Sequence, residues 1–288
     1  YSLTLSEAGT GSVTGIISGS GALTKEGVGT LTLSGANTYS GSTTVSDGAL
    51  KLANTNASSQ YSISTGATLE LYVDSGTRDL PTVTFSGAGI LRKTGAGAIT
   101  TEAGVATFDL SDGALIDVQS GVFGTGGQSN DDLSSNESDL NVASGATLTV
   151  SDNDAYFDAV TGSGTIQMGY QSDNVFVVGI GNSSSQFDGV MQDTGWNSGT
   201  GILNLVKQGS GTFTLKGTNT YTGSTTISAG TLVLANNTPT TASSGFGGAG
   251  SLRIESVADS FASTFDVNSA WKFGSDLGGL TIGKSSNT

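Results

Sequence analysis

Apolar and polar residues alternate along this chain in short bursts, and each burst ends in Gly, Asn, Asp or Ser. Leu31-Thr32-Leu33, Leu50-Lys51-Leu52 and Leu69-Glu70-Leu71 are typical. Alternation with period two is the signature of a half-buried strand. The punctuating residues supply positive φ or side-chain-to-backbone turns. No stretch sustains a 3.6-residue period, so helices should be nearly absent. The spacing carries the fold. The pairs Leu31/Leu33, Leu50/Leu52 and Leu69/Leu71 are 19 residues apart, as are Phe213/Leu215 and Leu232/Leu234. Leu148/Val150 and Ile166/Met168 are 18 apart, and Leu232/Leu234 to Leu252/Ile254 is 20. A chain that returns the same apolar pair at this interval is coiling, each pair seated ~4.8 Å above the last. The pattern predicts an all-β parallel β-helix (β-solenoid) of about 19–20 residues per coil. It predicts about 12–14 coils in a rod on the order of 60–70 Å long. Its core is a column of stacked aliphatic side chains that no single coil can bury alone.

Self-similarity supports the same reading. Residues 23–52, LTKEGVGTLTLSGANTYSGSTTVSDGALKL, and 205–234, LVKQGSGTFTLKGTNTYTGSTTISAGTLVL, agree at 19 of 30 positions without gaps. Shorter echoes lie between them: SDGAL, found in the first repeat at 46–50, recurs at 111–115, and ASGATL stands at 143–148. Residues 1–288 are therefore expected to form one elongated body. Three segments break the rhythm. Residues 119–139 and 169–201 are expected as inserted loops, and 256–273, with Phe261, Phe265 and Trp271, as an irregular or capping coil.

Composition removes whole classes of chemistry. The chain has no Cys and no His, so the usual zinc, haem and iron–sulfur ligand sets, a Ser-His-Asp triad and a Cys nucleophile are all excluded. The net charge of −14 repels phosphate backbones, and no nucleic-acid partner is expected. The charge also disfavours anionic membrane surfaces. No run of 18 apolar residues exists, so no membrane insertion by a helix is expected. The first residues lack the pattern of a signal peptide, and the chain reads as a piece of something larger.

The phrase G-x-G-T-[LF]-T-L-x-G-x-N-T-Y-[ST]-G-S-T-T-[VI], at 27–45 and 209–227, resembles the autotransporter passenger-associated repeat. The ending, from Ser251, is similar to strands of giant haemagglutinin-type adhesins. The resemblance implies a right-handed β-helix in a large protein exported to the surface of Gram-negative bacteria or secreted. It implies adhesion or aggregation rather than catalysis. The expected partners are a second copy, a host or abiotic surface, or a glycan. A non-binding secretion scaffold is a further reading.

The candidate residues follow from the repeat. Gly35, Asn37, Tyr39, Gly41 and Gly48 recur as Gly217, Asn219, Tyr221, Gly223 and Gly230. They are expected to be structural, with Asn in the left-handed region bonding the next coil and Tyr packing over the coil edge. Asp152, Asp154 and Asp158 begin like a calcium loop but lack the Gly and the terminal Glu of an EF-hand, so calcium enters as an alternative to a solvated loop with no cofactor. Polysaccharide lyases and glycosidases acting on acidic glycans share the architecture and set carboxylates across a groove. Here the ten Lys and Arg are scattered, and nothing marks a carboxylate pair as acid and base. The threonines Thr30/Thr32, Thr43/Thr44, Thr212/Thr214 and Thr225/Thr226 are read as outward-facing, like the ladders of ice-binding solenoids, but they occur in two copies rather than in every coil.

Overall fold

The computed structural model describes residues 1–101, 105–124, 133–151, 154–169, 173–193, 201–235, 245–256 and 272–283. Among them every strand pairing is parallel and no helix occurs. One sheet of 13 strands runs from Thr10–Val13 to Gly279–Ile282. Twelve inter-strand steps at ~4.8 Å make a stack of ~58 Å.

The other sheets wall the remaining sides of the coil. The face reached just before each strand of the long sheet holds six strands from Leu3–Ser6 to Ala106–Leu110, and later five from Ala155–Phe157 to Phe246–Gly247. Leu133 bridges to Ala155 between the two groups. The face that follows the long sheet holds six strands, from Thr77–Asp79 to Val190–Gln192. Where this third strand is missing, in residues 34–42, 53–59 and 216–224, a loop closes the side.

The register confirms the apolar pairs. Leu31 sits against Leu50, Leu50 against Leu69, Leu148 against Ile166 and Leu232 against Leu252. Burial shows why stacking is needed. Leu50, Leu69 and Leu232 are fully buried, whereas Leu3, Leu280 and Ile282 in the end strands are 40%, 44% and 46% exposed. An interior turn thus covers its neighbour's core. Aromatic rings add a second column, with Tyr61, Phe85 and Phe108 stacked at 5.4 and 5.5 Å. Outside, Lys51, Glu70, Arg92 and Asp117 are in-register neighbours of alternating sign, with ion pairs of 3.0 Å (Lys51–Glu70) and 2.8 Å (Arg92–Asp117). Opposite charges on facing strands favour this register over a slipped one.

Two expectations change. The turn is not a constant 19–20 residues. Register steps lengthen to 25 from Leu91 to Ile116, and to 28 from Ser185 to Phe213 and from Leu252 to Leu280. The irregular segments are also partly regular. Val122–Gly124 pairs with Thr147–Val150, and Asn174–Val178, Ser185–Phe187 and Val190–Gln192 are in-register strands within 169–201. A strand needs only its inward pair, so extra residues are absorbed at the corners. Phe261, Phe265 and Trp271 lie outside the described residues.

Candidate functional site

The repeated phrase builds the corner where the third strand is missing. Asn37 Oδ1 accepts the backbone N–H of Ile17, one turn earlier, at 2.9 Å, and Asn219 Oδ1 accepts that of Met191 at 2.8 Å. The bond to an adjacent coil is as expected, but the conformation is not. Neither Asn has positive φ, and Asn182 alone has it among the described non-glycine residues. The side chains bridge between turns from ordinary backbone.

The tyrosines do not lie over the coil edge. Tyr39 and Tyr221 are fully buried. The Tyr39 hydroxyl lies 2.6 Å from Thr43 Oγ1 and accepts from Asn56 Nδ2 at 2.9 Å, and Tyr221 pairs with Thr225 Oγ1 at 2.9 Å. Thr43 and Thr225 are therefore inward residues and leave the proposed outward ladder, while Thr44 and Thr226 stay half-buried. Burial raises the Tyr39 hydroxyl pKa and pushes that of Tyr221 up to about 12, so both remain neutral donors at physiological pH. Tyr39→Phe leaves the Asn56 amide and Thr43 short of a partner and is expected to cost about 1–2 kcal/mol. Chemical denaturation should read that loss, with no selective change in any ligand binding. A variant of unchanged stability that loses binding would assign Tyr39 a contact role instead.

The glycines fit by close approach. At Gly41 and Gly223 an added Cβ would strike the carbonyls of Gly21 and Leu203 in the preceding turn. Gly35, Gly48, Gly217 and Gly230 meet the same obstacle against Gly15, Gly29, Gly189 and Gly211.

Three lysines escape the sequence reading. Lys25, Lys93 and Lys207 occupy inward positions, in register with Val45, with Leu71 and Val118, and with Val178 and Ile227. All are at most 2% exposed. Each begins a K-x-G-x-G phrase whose first Gly has positive φ. The ammonium sits inside the corner so formed. Lys25 Nζ donates to the carbonyls of Glu26 (2.8 Å), Gly27 (2.7 Å) and Asp47 (3.2 Å). Lys93 Nζ donates to those of Thr94 (2.9 Å), Gly95 (2.8 Å) and Ser120 (3.0 Å). Lys207 donates to the carbonyls of Gln208 and Gly209. Burial lowers all three pKa values, that of Lys93 to about 8 with help from the Arg78 charge. The signal was available in the period-two alternation Leu23-x-Lys25, Leu91-x-Lys93 and Leu205-x-Lys207.

Of the acidic cluster, Asp154 and Asp158 lie among the described residues. Asp152 lies outside the described residues. Asp154 Oδ1 accepts the Val175 N–H at 2.9 Å, and Asp158 Oδ1 accepts those of Gly181 (2.7 Å) and Ser183 (3.1 Å). Both carboxylates thus hold the following turn. Among the described residues no three His, Cys, Asp or Glu side chains converge as a metal site.

With this geometry in place, the likenesses to known proteins can be stated. Residues 23–52 and 205–234 match the passenger-associated-transport-repeat family. The chain is distantly homologous to the adhesin BmaC autotransporter of Brucella suis biovar 1 (strain 1330), at 31% identity over 239 residues. The match covers 72% of this chain and 7% of that protein, so the chain spans a small fraction of its relative. No solved structure is significantly similar.

Proposed function

We propose that this chain is a stalk segment of a surface-exposed or secreted bacterial adhesin of the autotransporter type, and that it joins cells or surfaces through self-association or glycan contact. One observation carries the reading. Both transport repeats form turns of the same uninterrupted 13-stranded stack, so the passenger motif here builds the rod itself. A rod of repeated turns holds a contact surface away from a cell, and its acidic surface keeps it soluble. The low positive charge and the use of Asn37 and Asn219 in turn-to-turn bonds favour a structural and adhesive role over catalysis. A non-binding spacer is the competing role. The test is display of residues 1–288 on a non-aggregating bacterium, with an export-competent solenoid of unrelated sequence as control. We expect faster settling or greater retention on glycan-coated surfaces than with the control. Behaviour equal to the control leaves the spacer.

A further inference from the structure

The pattern Asn-x-Ser/Thr makes an asparagine side chain an acceptor for a sugar. It occurs at Asn56-Ala57-Ser58, Asn136-Glu137-Ser138, Asn182-Ser183-Ser184 and Asn236-Asn237-Thr238. The last of these lies outside the described residues. The structure separates the other three. A linked sugar is bulky and hydrated, so the amide and the hydroxyl two residues on must both reach solvent.

Two of the three fail on this count. Asn136 is 1% exposed, and its Nδ2 donates to the Tyr156 carbonyl at 2.6 Å. Asn56 is half-buried, and its Nδ2 donates to the Tyr39 hydroxyl at 2.9 Å. Ser58 and Ser138, which complete these two patterns, are fully buried. A sugar at either place would have to open the packed coil.

Asn182 differs in each respect. It lies in the turn that joins Asn174–Val178 to Ser185–Phe187, at the corner where the chain enters the long sheet. Asn182 and Ser184 are both exposed. The turn is held firmly. Asn182 N–H donates to the Gly179 carbonyl at 3.2 Å, and Asp158 accepts the N–H groups of Gly181 and Ser183. The φ of 75° lies in the left-handed region, which asparagine tolerates better than most residues. From the next turn Ser210 donates its N–H (3.0 Å) and its hydroxyl (3.3 Å) to Asn182 Oδ1. The oxygen of the amide is thus fixed, while Nδ2 makes no hydrogen bond among the described residues. Ser184 Oγ accepts the Thr212 N–H at 2.9 Å and keeps its own hydrogen to donate.

We propose that Asn182 is a sugar-acceptor site, modified on Nδ2 by a transferase that uses a nucleotide-activated sugar. In this step a bond forms between Nδ2 and the anomeric carbon. The bond from that carbon to the donor's phosphate oxygen breaks, and its electron pair leaves with the nucleoside diphosphate. The amide gives up one proton to water. The bonds from Ser210 to Oδ1 survive, since the linkage uses only the nitrogen. The product carries uncharged, hydrated bulk at a corner of the rod. The site does not rest on the adhesive reading, and a modified chain that fails to aggregate cells removes that reading alone.

The test incubates the folded 288-residue chain with UDP-glucose and a soluble asparagine N-glucosyltransferase, and maps the sugar by peptide mass spectrometry. Asn182 should be modified, with at least about tenfold less sugar on Asn56 and Asn136, which react only when the coil opens. Synthetic peptides covering 50–62, 130–142 and 176–190 should lose this preference. Ser184→Ala should abolish modification of Asn182, and Ser184→Thr, which keeps the hydroxyl, should retain it. The modified chain should keep its denaturation midpoint. No sugar on Asn182 of the folded chain, equal modification of Asn56 or Asn136, or a lowered midpoint after modification overturns the proposal.

Discussion

Phe108→Ala is expected to remove about 3–5 kcal/mol from the stability of the central turns. The ring is fully buried, stacks on Phe85 at 5.5 Å, and meets Phe123 edge-on at 6.0 Å. Alanine there withdraws contact from the turn below and from an adjacent face. The cavity cannot close, because in-register backbone bonds pin Val83–Gly87 to Ala106–Leu110. In a linear stack each turn touches only its neighbours, so the loss should stay local. Hydrogen exchange checks this. Amides of 83–87 and 106–110 should lose protection while those of 212–215 and 231–235 keep theirs. A loss spread evenly over the chain, or one below about 1 kcal/mol, would contradict the linear description.

The second large effect is at Lys93. Lys93→Met keeps an apolar stem but removes the ammonium from the carbonyls of Thr94, Gly95 and Ser120, of which Thr94 keeps the Val73 N–H at 3.1 Å and Gly95 the Ser120 hydroxyl at 3.3 Å. Relief of a buried charge opposes this loss. The Ser120 carbonyl left without a donor, together with the two ammonium bonds lost to Thr94 and Gly95, outweighs it, since an unsatisfied buried group costs about 1–3 kcal/mol, and a net loss of about 2 kcal/mol is expected. The pH dependence separates the two contributions. Folded Lys93 releases its proton near 8, whereas in the unfolded chain it does so near ~10.4. Between these values the unfolded chain holds the extra proton, so stability attributable to this group rises with pH. Lys25 and Lys207 act in the same direction. The tyrosines act oppositely and only at higher pH, because burial raises Tyr39 and Tyr221 above their ordinary value. Denaturant titrations between pH 8 and ~10 should show wild-type stability climbing and Lys93→Met climbing less. Parallel curves would remove the ammonium from the corner.

The sequence revealed what depends on repetition. Leu31, Leu50 and Leu69 are legible because a short strand must place its apolar pair over the pair beneath. Residues 169–201 were less legible, since Asn174–Val178 and Ser185–Phe187 sit at longer, unequal steps and no fixed period finds them. Other misreadings came from assigning residues by type. Lysine is rarely buried, and Lys25, Lys93 and Lys207 were read as scattered charge although alternation with Leu23, Leu91 and Leu205 placed them inside. Thr43 stands two residues before the buried Val45, so it must share that inward face, where it meets Tyr39.

The central claim is that separation in space counts turns rather than residues. The chain has no cysteine, so spin labels can be placed cleanly on the outer column that contains Thr32, Asn141 and Thr214. Asn141 lies five strands from Thr32 along the long sheet, and Thr214 lies eight. At ~4.8 Å per strand, pulsed dipolar spectroscopy of the pair Thr32→Cys/Asn141→Cys should give a distance near ~24 Å. The pair Thr32→Cys/Thr214→Cys should give one near ~38 Å, each broadened by the label arms. Two similar distances, or a longer one for the nearer pair, would contradict the stacked coil.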